Sequence, residues 1–261
     1  MLTNKIFADH YVDHRNSCAD NLIFERLHAN GLVLIDFLTS RQAVLDFARR
    51  VMEIAAHRDS DPDGLTTIHD TRRHAQQAGF AGFGNGALLA HTESSSVPHP
   101  PKLMLLACQR AAGSGGEILL ADGQAIYAEL AERWPEAADA LSQPGTAFYG
   151  DGGGHPARVF TPYPDGRIAL RLRQDRLARF SPLVTRHLPR LYKVIDAHQH
   201  PVALSPGQGY LVDNERWLHA RKAFSGHRRC LRALGAPTSP LQVGFAAGAV
   251  AGWTASEGTV G

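Results

Sequence analysis

Apolar and polar positions recur along this chain on two periods, one helical and one extended, and the change between them predicts the elements. The N-terminal part opens on the helical period, with a short helix over Phe24 to Asn30 that stops at Gly31. Leu32 to Phe37 is a compact apolar run with β-branched residues and is read as a buried strand. Thr39 and Ser40 then cap a helix predicted from Arg41 to Ala56, because Val44, Leu45, Phe47, Ala48, Val51 and Ile54 share one face. Asp59 to Gly64 carries strong turn chemistry, and residues 69–86 are mixed and glycine-rich, which suits a loop near a site. Thr66 to Asp70 is read either as an ordinary loop or as the lining of a substrate pocket.

From Leu88 onward short strands dominate. Leu103 to Cys108 and Glu117 to Ala121 are predicted strands around a glycine-rich loop, and Asp122-Gly123 leads into a helix over Gln124 to Arg133. A second helix follows from Pro135 to Leu141, and Gly150 to Gly154 is a flexible stretch. Val159-Phe160 and Ile168 to Leu172 form a hairpin across Pro164-Asp165-Gly166. Ser181 to His198 is predicted helical, Gly209 to Asp213 a strand ending in an Asp213-Asn214 turn, and Arg228 to Leu234 a further strand. From Ala236 the composition turns to Gly, Ala, Ser and Thr, so residues 236–261 are expected to form a loosely ordered tail. No repeat and no linker divides the chain, so residues 1–261 are taken as a single domain. The predicted class is α+β, mainly β: a sandwich or barrel decorated by helices.

Composition changes this picture little. The chain has 261 residues and a formal net charge of only +2, which gives no footprint for nucleic acid or an acidic membrane surface. The longest apolar runs are too short to span a bilayer, and the polar N-terminus lacks the apolar core of a signal peptide. The three cysteines, Cys18, Cys108 and Cys230, are widely spaced and form no metal-binding pair, so a reducing cytoplasm is the expected setting. Histidine, with 14 copies, is the one enriched ionisable type and directs attention to metal chemistry.

The sharpest local feature is His91-Thr92-Glu93. Alternate residues of an extended segment face the same way, so His91 and Glu93 can grip one ion. Two histidines and one carboxylate on one side of a metal leave open positions opposite, the arrangement iron(II) uses to accept a co-substrate and dioxygen. A third ligand must come from elsewhere in the chain. His155 and His227 lie in glycine-led loops and read as surface residues. Downstream, Gly115-Gly116-Glu117 precedes Asp122-Gly123, and Asp213-Asn214 precedes His219-Ala220-Arg221 and then Arg228 to Arg232.

In that order these motifs resemble the taurine dioxygenase and clavaminate synthase superfamily of iron(II)/2-oxoglutarate oxygenases, over residues 31–234. The resemblance implies a double-stranded β-helix, or jelly-roll, core with flanking helices. It implies His91, Glu93 and His219 as metal ligands and catalytic centre, and Arg228 with Arg232 as the pair that binds the oxoglutarate carboxylates. Arg228, Cys230 and Arg232 share one strand face; a one-residue change of register would put Arg229 in place of Arg228. The implied cofactors are iron(II), 2-oxoglutarate as co-substrate and O2. The implied reaction couples oxidative decarboxylation of oxoglutarate to hydroxylation of an unactivated carbon, with desaturation or ring formation open to the same ligands. Glutamate at position 93 resembles the branch that acts on amino acids. The expected partner is a small polar molecule, free or tethered to a carrier protein. One departure stands out: the threonine that follows Gly-Gly-Glu in the family is Ile118 here, and its hydroxyl helps hold the distal oxoglutarate carboxylate. A jelly-roll hydrolase or isomerase that does not use oxoglutarate, or a silent binding protein of the same fold, is the competing expectation.

Overall fold

The computed structural model describes residues 5–73 and 79–248. Ten strands build its centre: β1 (Leu32–Ile35), β2 (Met52–Ile54), β3 (Thr66–His69), β4 (Leu88–His91), β5 (Leu103–Arg110), β6 (Ile118–Asp122), β7 (His200–Val202), β8 (Gly209–Asp213), β9 (Trp217–Arg221) and β10 (Arg229–Pro237). All pair antiparallel. The larger sheet runs β1-β8-β5-β10, and β10 then pairs with β3 through Arg229 to Arg232 and with β2 through Gly235 to Pro237. The smaller sheet runs β7-β6-β9-β4. A ribbon of Ser114–Gly115 with Phe224–Ser225, a small sheet of Phe160–Pro162, Arg167–Leu170 and Phe245–Ala246, and another of Ala178–Phe180, Ala147–Tyr149 and His155–Ala157 lie outside these two sheets.

The two-residue period of each strand sorts its side chains between two environments. On the larger sheet Leu34, Met104, Leu106, Cys108, Tyr210, Cys230 and Leu234 point inward and meet Ile118, Leu120 and Trp217 of the smaller sheet. Helix α1 (Lys5–His10) precedes β1, and the alternates, among them Val33, Ile35, Leu105, Leu211, Leu231 and Ala233, point outward under helices α2 (Ala19–Asn30) and α3 (Arg41–Val51). Both faces of β1 are therefore covered, which is why its four residues are all apolar and all buried. The outer face of the smaller sheet packs beneath α4 (Gly123–Arg133), α5 (Pro135–Ser142) and α7 (Leu188–Ala197), with Phe160, Ile168, Leu170 and Phe245. Two antiparallel sheets face to face with helices on both outer surfaces form the expected jelly roll. Gly31 ends α2 in a left-handed turn at φ 67°, and its N–H reaches the Leu27 carbonyl.

Several boundaries differ from the sequence reading for identifiable reasons. Helix α3 stops at Val51 instead of Ala56, because Met52 to Ile54 are claimed by the ladder to β10. The predicted helix over Ser181 to His198 is two helices, α6 (Pro182–Thr185) and α7, broken where Pro189 starts the second. Thr66 to His69 is a strand of the larger sheet and not a loop. The expected loose tail is ordered at its beginning. β10 runs on to Pro237, Thr238 bonds back to Val51 and Arg50, and Phe245 is buried beside α4. Residues 249–261 of that tail lie outside the described residues, as do residues 74–78 of the predicted loop. Among the described residues no helix is long and apolar enough to cross a membrane.

Candidate metal centre and its surroundings

Cross-strand pairing brings the candidate ligands together. His219 on β9 lies directly opposite His91 at the end of β4, and the two rings stand 4.2 Å apart between centroids. Thr92 turns away from them into the protein: its N–H donates to the Leu172 carbonyl and its hydroxyl accepts from the Leu172 N–H. That anchor leaves His91 and Glu93 facing the same side. Among the described residues His91, Glu93 and His219 are the group whose ligand atoms converge, all within 4.8 Å of one another.

The surroundings set the state of each ligand. His91 Nδ1 lies 2.8 Å from the Leu89 carbonyl, an acceptor, so the proton sits on Nδ1 and the Nε2 lone pair is free. Burial lowers the pKa of both histidines and keeps them neutral, the form that binds metal. Burial alone would raise the Glu93 carboxyl, but the Arg232 guanidinium at 2.8 Å, helped by the Ser94 N–H, outweighs it and holds the group below the usual carboxylate range. The backbone around Glu93 is clamped by Asn214, at the turn between β8 and β9. Its side-chain oxygen accepts from the Glu93 N–H at 2.7 Å, and its amide donates to the carbonyls of Glu93 and Pro101. Ser94, next in the chain, sits at φ 53°, an uncommon conformation for a residue with a side chain, and its N–H donates to Glu93 Oε1. Two neutral imidazoles and one carboxylate converging on one point fit a divalent iron and leave coordination positions open on the cavity side.

That cavity has a volume of about 850 Å³, and its lining includes Leu106, Ile118 and Tyr210 from the cluster between the sheets. Arg228 lies just before β10 and reaches the cavity, whereas its neighbour Arg229 is exposed on the opposite face. The register thus places Arg228 inward. Arg232 also faces inward, but its guanidinium is engaged by Glu93, with His57 Nδ1 accepting at 3.3 Å. Arg221, two residues beyond His219, was not singled out from the sequence. It is buried and donates to the carbonyls of Gly82, Gly84 and Gly86, tying the glycine-rich loop to β9. The spacing from His219 places it on the same face, but its partners come from a loop whose path the sequence does not set. At the other side of the cavity Arg173 and Asp175 form a two-pronged ion pair at 2.5 and 2.8 Å.

A model of the taurine catabolism dioxygenase TauD, TfdA family matches residues 13–234, most of the chain. The chain belongs to this family. With that membership come its chemistry class, an oxygenase, and its cofactors, iron(II), 2-oxoglutarate and O2. Solved structures agree on the fold. An asparagine oxygenase in complex with Fe(II), 3-hydroxyasparagine and succinate is similar at a TM-score of 0.67 and 18% identity, over 81% of this chain and 77% of that one. The non-heme iron oxygenase OrfP, in complex with Fe and alpha-ketoglutaric acid, is similar at a TM-score of 0.67 and 17% identity, over 85% and 80%. PvcB from Pseudomonas aeruginosa is similar at a TM-score of 0.65 and 12% identity, over 87% and 84%.

Proposed function

We propose that this TauD/TfdA family member hydroxylates an unactivated carbon of a free amino acid or a closely related small polar molecule. His91, Glu93 and His219 hold the iron, and residues 1–261 act as one oxygenase domain. The convergence of two neutral imidazoles and one carboxylate on the wall of a cavity of about 850 Å³ carries this reading. Iron(II), together with 2-oxoglutarate and dioxygen, supplies the oxidising power needed to break such a carbon–hydrogen bond.

The chain's own residues do the rest. Asn214 and Arg232 fix Glu93 so that its carboxylate is presented in one orientation and stays ionised. Thr92 holds the ligand-bearing segment against Leu172, and the Leu89 carbonyl sets the tautomer of His91. The apolar wall around Leu106 and Ile118 keeps water from the inner end of the cavity. Arg228 offers a buried positive charge that forms no ion pair with any described carboxylate, as a dianionic co-substrate requires. Arg173 and Asp175 also line the cavity and bring both signs of charge to it, which suits a zwitterion. Asparagine and arginine derivatives are the ligands of two structurally similar oxygenases.

The test is a panel of the twenty amino acids incubated with protein, iron(II), 2-oxoglutarate and oxygen. Succinate is measured by chromatography and product mass by spectrometry. Succinate that rises with one amino acid, matched by a product heavier by one oxygen atom, supports the reading. Succinate that stays at the no-substrate level throughout, with every amino acid recovered unchanged, refutes the proposed substrate class.

A further inference from the structure

The charges on the cavity wall are balanced among themselves. Each of its four carboxylates meets a guanidinium: Glu93 that of Arg232 at 2.8 Å, Asp59 that of Arg58 at 3.2 Å, Asp175 that of Arg173 at 2.5 Å and Asp151 that of Arg179 at 4.0 Å. Arg221 is spent on three glycine carbonyls. Arg228 is the remaining arginine of the wall, and the dianionic co-substrate calls on it. A zwitterion brings one charge of each sign and can exchange with an existing pair. A further charge on its side chain brings one sign alone and leaves a group unpaired away from water, which is costly. The wall therefore has a place for a neutral side chain and none for a charged one.

The apolar part of the wall narrows this further. Five large apolar side chains are exposed among the described residues, and two of them, Leu89 at 57% and Val97 at 41%, line the cavity. Leu89 stands two residues before His91, and Val97 four residues after Glu93, so they bracket the metal-bearing segment. Leu88 and Leu177 line the same cavity. The backbone beneath these side chains is fixed. The Ala90 carbonyl accepts from the Gln174 amide at 2.6 Å, and the carbonyls of Ser95 and Val97 accept from the Arg171 guanidinium. Apolar surface held open to water beside a reactive centre marks a place that a ligand covers. Of the neutral polar groups on the wall, Thr92 and Gln174 already bond to backbone.

We infer that the substrate is an α-amino acid with an apolar side chain, and that Leu89 and Val97 are the residues that select it. This deepens the amino-acid reading above and rests on it. Covering Leu89 and Val97 removes apolar area from water on both partners, whereas an amide, ammonium or carboxylate set against them would lose its own hydration for no return. Ser94 and Ser96 also line the wall and could serve an amide, so a comparison of leucine with asparagine, which share one branched shape, is the deciding one.

The test titrates amino acids under nitrogen into the protein loaded with iron(II) and 2-oxoglutarate. It follows the change that each makes in the visible spectrum, a binding signal that needs no turnover. Three pairs are compared: leucine with asparagine, norleucine with lysine, and phenylalanine with tyrosine. In any pair that binds, the apolar member is expected to act at a concentration at least about tenfold lower. Leu89→Ser should weaken that apolar ligand by about 4- to 15-fold, the worth of one or two buried methylene groups, and change its polar counterpart by less than about twofold. A polar member that binds as tightly as its apolar partner, or a Leu89→Ser protein with unaltered affinity, would overturn the inference and leave the amino-acid reading standing. A spectrum that none of the six changes would overturn both.

Discussion

Asn214 is the residue whose loss should travel furthest. It is 2% exposed, and its side chain makes three hydrogen bonds, to the Glu93 N–H, the Glu93 carbonyl and the Pro101 carbonyl. Asn214→Ala removes all three and leaves one N–H and two carbonyls without partners in a dry place. At roughly 1 kcal/mol for each, the stability loss is about 3 kcal/mol. For a chain of this size that lowers the melting temperature by roughly 6–12 °C. The second effect is on metal. Two of the three bonds hold the backbone of Glu93, so its carboxylate loses its fixed aim, and iron(II) affinity should fall by roughly 10- to 100-fold, as for other outer contacts of metal ligands. Anaerobic titration with iron(II) measures the affinity, and calorimetric melting of the apoprotein measures the stability. Asn214→Asp provides the control, since it retains an acceptor for the Glu93 N–H but no donor for the two carbonyls, and it should fall between. An Asn214→Ala protein that melts as wild type does and binds iron(II) equally well would refute the idea that this turn fixes the ligand.

Other predictions concern charge. Arg228→Ala should weaken 2-oxoglutarate by at least about tenfold, whereas Arg229→Ala, on the exposed face, should leave it unchanged and alter stability by less than about 0.5 kcal/mol; the reverse result in a binding titration would mean that the register is wrong. Asp213 is raised by burial from 3.8 to about 6, against the pull of Lys102. A carboxyl raised in the folded state stabilises it fully below pH 3.8 and loses that contribution as pH rises to about 6. At 1.36 kcal/mol per pH unit the change is about 3 kcal/mol. Urea denaturation of wild type and Asp213→Asn from pH 4 to about 7 should therefore show the advantage of wild type shrinking as pH rises, and a constant difference would contradict this account.

Much of the architecture was legible before the coordinates. Strand period and turn chemistry placed Leu103 to Cys108, Gly209 to Asp213, the hairpin of Val159-Phe160 with Ile168 to Leu172, and the helices starting near Arg41, Gln124 and Pro135, because burial of one face dominates there. The convergence of His91, Glu93 and His219 followed from residue alternation joined to the order of motifs. What escaped depends on tertiary pairing. Met52 to Ile54 and Thr66 to His69 carry no strong strand pattern and become strands because the long β10 has two stretches of edge to fill. Phe245 is a lone large residue in a small-residue tail, and only the groove beside α4 and the Arg167–Leu170 strand gives it a place. The occupation of Arg232 by Glu93 was not visible either. A strand pattern shows which arginines face inward, but not that a glutamate from another element is there to meet one of them.

The most direct test of the account is the visible spectrum of the apoprotein under nitrogen as iron(II) and then 2-oxoglutarate are added, with His219→Ala beside it. The account predicts a weak charge-transfer band that needs both additions and is absent in the variant, since the oxo acid must sit on an iron held by His91, Glu93 and His219. Iron binding without that band in the wild-type protein, or the same band in His219→Ala, would contradict it.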